Sequence, residues 1–211
     1  MLRMRSFLTR LQLNSGVRRP YKSMEPSGLF EPTTWELLLL GPGRKEAVRK
    51  ATPGFPKWAG ESPGSDYGGK PIVDFEGRPA FAELTILWTV NSAGWDGLWV
   101  THAGGREKHR RGFWGPQEAF TAPDPVLAFL SRVRSNRGDS SKGTWDIVCW
   151  PRDATLITPA DLRFIESKWA GKDNIKVDQV DWYRIARDFG APREAFLIVE
   201  WSLRRPLSAS A

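Results

Sequence analysis

The second half of the chain alternates between stretches with helical apolar spacing and short apolar runs typical of strands. The first stretch predicts a helix that begins at Pro79 and ends before Gly94, with its apolar positions at Phe81, Leu84, Leu87 and Trp88. Residues 95–101 predict the strand that follows. Further strands are expected over 144–150, 162–169 and 195–201, and further helices over 124–134 and from Val177 to Gly190.

Apart from the 124–134 helix, the order of these elements is helix, strand, strand, strand, helix, strand. We therefore predict one α/β domain over residues 71–204, with an inserted segment at 103–142 and a flexible tail at 205–211. Residues 1–70 are rich in proline and glycine, so we expect a poorly ordered extension with one short helix over 31–40.

Composition narrows the class of protein. No apolar run reaches the ~18 residues of a membrane span. The single cysteine, Cys149, excludes an intrachain disulfide and suits a core position in a reducing, cytoplasmic location. The two histidines, His102 and His109, argue against a histidine-rich metal site. Residues 1–23 carry six basic residues and no acidic one, which fits a mitochondrial-type leader, a disordered leader or a start codon placed upstream of Met24; the cytoplasmic location is favoured.

The net charge of +7 is unevenly distributed. Residues 1–70 hold 12 basic and 6 acidic residues, and the inserted segment 103–142 holds 8 basic and 4 acidic residues. The rest of the chain is slightly acidic, with 11 basic and 14 acidic residues. This distribution suits a cation-binding centre served by basic appendages that attract a polyanion. An ordinary basic surface explains the charge equally well.

Strand 162–169 carries Glu166 and Lys168 two residues apart, so both side chains project from one face. Asp146 lies on the preceding strand, and the two carboxylates can converge at one end of the sheet. At about 4 Å they would repel by roughly 4 kcal/mol at an effective dielectric near 20, so a proton or a cation must sit between them. Carboxylate oxygens with open positions suit Mg²⁺ or Mn²⁺, and Lys168 would hold the attacking water or stabilise charge on a phosphate. Each feature also has an ordinary structural explanation. An aspartate at the end of a strand, such as Asp146, usually caps a turn, and a pair such as Glu166 and Lys168 usually forms a salt bridge.

Three segments resemble the PD-(D/E)xK nuclease superfamily: Trp145-Asp146, Glu166-Ser167-Lys168 and, on the next helix, Gln179-Val-Asp-Trp182. The chain is most similar to the VRR-NUC branch, over residues 79–101 and 143–201. Trp145 stands where the family has a proline, and the 41 residues between the first two strands have no counterpart. The resemblance implies a restriction-endonuclease-like αβββαβ core, a mixed four-stranded sheet flanked by helices.

The resemblance also implies roles for further residues. The backbone carbonyl of Ser167 would join the two carboxylates as a ligand of Mg²⁺. Glu83, on the first helix, would bind or orient a second metal ion. Gln179 would steady Lys168 or the attacking water.

The basic stretch from 104 to 112 reads as a glycine-flanked loop that leads into aromatic residues. Cations neutralise phosphates and aromatic rings stack on unpaired bases. The candidate nucleic-acid contacts are therefore Arg106, Lys108, Arg110, Arg111 and Trp114. The alternative is a solvated surface loop.

Together these features predict a Mg²⁺-dependent nuclease that hydrolyses phosphodiester bonds in DNA without a covalent intermediate, in repair, recombination or restriction. One alternative is a nucleic-acid-binding protein that keeps the fold without cleaving. Another is an enzyme that acts on RNA or on a nucleotide, since no reader of a 2′-hydroxyl is identifiable. The sequence leaves a homodimer open.

Overall fold

The computed structural model describes residues 24–30, 32–61, 69–103, 106–112 and 120–204. The N-terminal elements are one short helix and three strands: α1 (Pro26–Leu29), β1 (Pro32–Gly41), β2 (Arg44–Ala51) and β3 (Gly54–Pro56). The middle of the chain holds two hairpins and two helices: β4 (Val73–Phe75), β5 (Arg78–Ala80), α2 (Ala82–Ser92), β6 (Trp95–Ala103), β7 (Arg106–Arg110) and α3 (Asp124–Ser135). The remaining elements are β8 (Ile147–Pro151), β9 (Arg163–Trp169), α4 (Val177–Asp188), a 3₁₀ turn (Arg193–Ala195) and β10 (Phe196–Arg204).

Eight of the strands form one mixed sheet in the order β1-β2-β10-β9-β8-β6-β7, and β3 pairs with the C-terminal end of β10. β10 runs parallel to both β9 and β2. β8 runs antiparallel to β9 on one side and to β6 on the other. The protein is therefore a mixed α/β fold, and its sheet places β8 and β9 side by side near the middle.

The sheet separates two hydrophobic clusters, because successive residues of a strand face opposite sides. Phe164 of β9 contacts Trp182 of α4 on one side, with ring centroids 5.1 Å apart. Ile165 belongs to the cluster on the other side, which α2 covers with residues such as Leu84. Every residue from Phe164 to Lys168 is buried, so the polar side chains of β9 need partners within the protein.

The predicted strands over 95–101, 144–150, 162–169 and 195–201 are present as β6, β8, β9 and β10, with ends shifted by at most three residues. The helices over 124–134 and from Val177 are present as α3 and α4. The first helix begins at Ala82 rather than Pro79, since Pro79 pairs with Asp74 in the β4–β5 hairpin. The longest helices of the described ranges have 12 residues, and none of the helices there is long and apolar enough to cross a membrane.

The N-terminal prediction is wrong for residues 32–56. They form β1, β2 and β3, so the sheet has eight strands rather than four, and the expected helix over 31–40 is a strand. The run of four leucines, Leu37–Leu40, is compatible with both the helical and the strand repeat. The segment is a strand because it pairs with β2. Leu38 is 2% exposed, whereas Leu37 and Leu39 are 60% and 63% exposed, which is the alternation of a strand with one covered face.

The loop prediction for 104–112 is also wrong in part. Residues 106–110 form β7, an edge strand that pairs antiparallel with β6 between Trp99 and Ala103. Its residues are almost all charged, so the stretch has no apolar period that would have predicted a strand. The leader at 1–23, Trp114 and the tail at 205–211 lie outside the described residues.

Candidate active site

The register between β8 and β9 brings Asp146 beside Glu166. Ile147, the first residue of β8, pairs with Ile165, and so Asp146 lies opposite the middle of β9. The backbone N–H of Asp146 donates to Glu166 Oε2 at 3.3 Å, and the backbone N–H of Ser167 donates to Asp146 Oδ2 at 3.0 Å. The convergence of the two carboxylates expected from the sequence is therefore present.

Lys168 and Gln179 both contact the carboxylate of Glu166, which is 1% exposed. Lys168 Nζ lies 2.7 Å from Glu166 Oε1, and Gln179 Nε2 donates to the same oxygen. The backbone N–H of Lys176 donates to Gln179 Oε1 at 2.9 Å, which caps the start of α4 and fixes the orientation of the amide. Gln179 thus steadies Glu166, where the resemblance implied that it would steady Lys168 or the water.

Glu83 reaches the same site from the first turn of α2, where its charge also suits the helix dipole. Its side chain is 7% exposed and forms an ion pair with Lys70, whose side chain is 43% exposed. Lys70 belongs to the segment before β4, far from the motif in sequence. Lys70 was not predictable from the sequence, because a single lysine after two glycines carries no pattern.

Burial raises the pKa of Asp146 to about 6, and the charge of Glu83 acts in the same direction while Lys70 opposes it. Burial likewise raises the pKa of Glu166 well above its usual value, with Asp146 adding to the effect and Lys168 opposing it. Two neighbouring carboxyl groups with raised pKa values retain a proton or attract a cation. This electrostatic pattern is common at functional sites.

The side chains fit a hard divalent cation by their chemistry. Asp146, Glu166 and Glu83 supply only oxygen, without the sulfur or imidazole that softer metals prefer. In the arrangement shown, protein donors occupy both oxygens of Glu166 and one oxygen of Asp146. Within the described ranges no three acidic, histidine or cysteine side chains are grouped closely enough to hold an ion without movement. Ion binding through Glu166 Oε1 would therefore displace Lys168 or Gln179.

Ser167 points its side chain away from the carboxylates. Its Oγ accepts a hydrogen bond from Trp201 Nε1 at 3.0 Å, in the cluster under α2. Of the two oxygens of Ser167, the hydroxyl is therefore turned away from the carboxylates. The role that the resemblance implies for Ser167, which uses the backbone carbonyl and not the hydroxyl, stays a prediction.

The predicted basic contacts lie on β7 and just after it. Arg106, Lys108 and Arg110 occupy every second position of this edge strand. Arg111 follows β7 and is partly buried: its Nε donates to the carbonyl of Gly97 at 2.9 Å, and its guanidinium lies 3.3 Å from the ring centroid of Phe120. Arg111 therefore has a packing role within the protein, whether or not it also contacts nucleic acid.

A scan against protein-family models and searches of curated proteins and of solved structures found no match to this chain.

Proposed function

We propose that the chain is a metal-dependent nuclease that hydrolyses phosphodiester bonds in DNA, with Mg²⁺ or Mn²⁺ as cofactor. The observation that carries the proposal is the meeting of Asp146, Glu166 and Lys168 where the start of β8 lies beside β9, in a site that raises the pKa of both carboxyl groups. Burial of two carboxyl groups beside a lysine lowers the stability of the folded protein. The same groups can bind a divalent cation and stabilise charge on a phosphate.

The topology around the site supports a PD-(D/E)xK nuclease of the VRR-NUC type. The site elements follow the order α2, β6, β8, β9, α4, β10, which is the αβββαβ order that the resemblance implies. β8 lies between β6 and β9 and runs antiparallel to both, and β10 is parallel to β9. The inserted α3 and the strands β1 to β3 extend this core without separating Asp146 from Glu166.

Each residue of the site has a part in the proposed hydrolysis. Asp146, Glu166 and the carbonyl of Ser167 would hold the cation. When bound, the cation neutralises phosphate charge and makes water nucleophilic at neutral pH. Lys168, released from Glu166 Oε1, donates to the phosphate oxygen on which charge develops. Gln179 keeps Glu166 in position through its amide, which the start of α4 fixes.

A non-catalytic nucleic-acid-binding protein is the second candidate, and one observation favours it. Lys168 pairs with Glu166 and Lys70 pairs with Glu83, so two of the three carboxylates already have cationic partners within the protein. A site that never binds a metal would look the same. Binding to DNA would then depend on the basic residues of β7.

Cleavage assays separate the two candidates. Labelled single-stranded, duplex, flap and four-way-junction DNA would be incubated with the protein and Mg²⁺ or Mn²⁺, with a single-stranded RNA in parallel. We expect metal-dependent cleavage that Asp146→Asn and Lys168→Met each reduce at least about 100-fold. Lys172→Met removes an exposed lysine from the turn after β9 and should leave cleavage unchanged. Salt-sensitive binding of DNA without cleavage by any form would establish the second candidate instead.

A further inference from the structure

Lys70 forms an ion pair with the one carboxylate of the site that has no hydrogen-bond role in holding Asp146 or Glu166 in the contacts described above. Its Nζ contacts Glu83 Oε1, and Glu83 is the carboxylate that the resemblance assigns to a second ion. The charge of Lys70 also acts on Asp146, whose pKa it lowers. The ammonium group therefore faces two of the three acidic side chains of the site, Glu83 directly and Asp146 at longer range.

The charges of the site are nearly balanced before any ion binds. Three carboxylates meet two lysines, and the lysines pair with different carboxylates, Lys168 with Glu166 and Lys70 with Glu83. Asp146 accepts a backbone N–H of Ser167 instead. If all of these groups are ionised, their sum is −1. One divalent ion turns that sum to +1, which a phosphate diester neutralises, whereas a second divalent ion would face an excess of positive charge.

Lys70 and Glu83 also differ in exposure in a way that suits a tethered cation. Glu83 is fixed in the first turn of α2 and is almost completely buried, whereas the lysine side chain reaches it from the solvent side. An ion that approached Glu83 from solvent would meet the ammonium group first. Because the lysine is part of the chain, its local concentration does not fall when metal is scarce.

We propose that Lys70 replaces a second metal ion at Glu83, so that the centre binds a single divalent ion, held by Asp146 and Glu166. The inference rests on the metal centre of the proposed function, but it concerns the number of ions and not the cleavage of DNA. Lys70 is a positioning residue here: it holds Glu83 and excludes the second ion. The charge of Lys70 is the property that matters.

The experiment counts Mn²⁺ ions bound to the full chain, by electron paramagnetic resonance of free Mn²⁺ during titration to 20-fold excess. We expect one ion per wild-type chain. Lys70→Met should bind two, with the second ion at least tenfold tighter than any second binding to the wild type. Lys70→Arg keeps the charge and should bind one. Lys57→Met removes an exposed lysine from the same part of the chain and should also bind one.

A double variant tests whether the gained ion uses Glu83. Lys70→Met with Glu83→Gln should return to one ion, because the released carboxylate is gone. Circular dichroism would verify that each variant is folded. If Lys70→Met does not fold, Lys70→Gln replaces it in the titration. Two ions bound to the wild type, or one ion bound to folded Lys70→Met and Lys70→Gln, would overturn the inference.

The outcomes also separate this inference from the proposed function. One bound ion that Asp146→Asn removes, together with no cleavage of any nucleic acid, would reject the nuclease and keep the role of Lys70. Cleavage with two ions bound to the wild type would keep the nuclease and reject the role of Lys70. Absence of Mn²⁺ binding to the wild type would reject both.

Discussion

Asp146 is a carboxylate that the folded chain holds at a cost. Its pKa is raised to about 6 because burial disfavours the charged form and because Glu83 adds a like charge. The folded protein therefore binds the proton more tightly than the unfolded chain does. The raised pKa makes this group destabilising at neutral pH: its contribution is absent below pH 4, grows unfavourable as the pH rises to about 6, and stays constant above that.

We expect Asp146→Asn to stabilise the protein at pH 8 while it abolishes the proposed activity. The raised pKa corresponds to about 1–3 kcal/mol of unfavourable free energy that the neutral amide removes. The amide oxygen can still accept the hydrogen bond from Ser167. At pH 4, where the aspartic acid is itself neutral, the two proteins should unfold with similar free energies. Urea unfolding of both proteins at pH 4, 6 and 8 gives the comparison.

Asp153→Asn is the matched control, because Asp153 is exposed and follows the other end of β8. It should change the free energy of unfolding by less than about 0.5 kcal/mol at every pH. A gain for Asp146→Asn that did not depend on pH would assign the effect to something other than the buried charge. A loss of stability at pH 8 would show that Asp146 is better compensated than its surroundings indicate.

Single residues of the site differ in how far the sequence could predict them. Asp146, Glu166 and Lys168 lie within short motifs on apolar strands, and strand alternation is enough to place Glu166 and Lys168 together. Gln179 and Glu83 came only from the resemblance, because a glutamine or glutamate near a helix start has several ordinary uses. Lys70 had no local signal, since its role follows from where the chain before β4 passes the start of α2.

At the scale of elements, one turn links the two halves of the site. Gly143 lies three residues before Asp146 and has a φ of +74°. A Cβ at this position would overlap the backbone carbonyl of Asp178 in the first turn of α4. In the same contact, Trp145 Nε1 donates to the carbonyl of Gln179 at 3.2 Å. The turn therefore holds the start of α4, and with it Gln179, against the strand that carries Asp146.

We expect Gly143→Ala to destabilise the protein by about 3 kcal/mol or more, because the side chain adds a backbone clash to the strain of a positive φ. Gly138→Ala is the matched control: Gly138 has a φ of +61° but has open space around its Cα, so only the strain of about 1 kcal/mol should appear. Urea unfolding midpoints of the two variants measure the difference. Equal losses would mean that α4 moves away from the turn at little cost.

Elements were predictable from the sequence where their apolar period was clear. β8, β9 and β10 are apolar runs, and α3 and α4 have apolar residues at helical spacing, so each was placed within three residues of its ends. β2 lies between β1 and β10, yet of its residues only Val48 and Ala51 are buried, and its charged side chains conceal a strand. Its pairing with β10 is a tertiary contact across most of the chain, which local periodicity does not record.

At the scale of the whole molecule, the N-terminal strands complete the sheet. β10 has β9 on one side and β2 on the other, and β3 pairs with its C-terminal end. Leu38 and Val48 belong to the hydrophobic cluster under α4, while Ala51 and Phe55 belong to the cluster under α2. Both sides of the sheet therefore depend on residues that the sequence assigned to a poorly ordered extension.

This arrangement predicts that residues 71–211 do not fold by themselves, although the sequence analysis placed the domain boundary there. Removal of β1 to β3 would uncover the edge of β10 from Leu197 to Val199 and would take apolar side chains from both clusters. The loss should exceed the whole stability of a typical domain, roughly 5–15 kcal/mol. The full chain and a chain that ends at residue 204, which keeps every described strand, should both unfold cooperatively in urea. If residues 71–211 instead gave a soluble monomer with a cooperative transition, the N-terminal strands would be an addition to an independent core, and the domain boundary read from the sequence would be right.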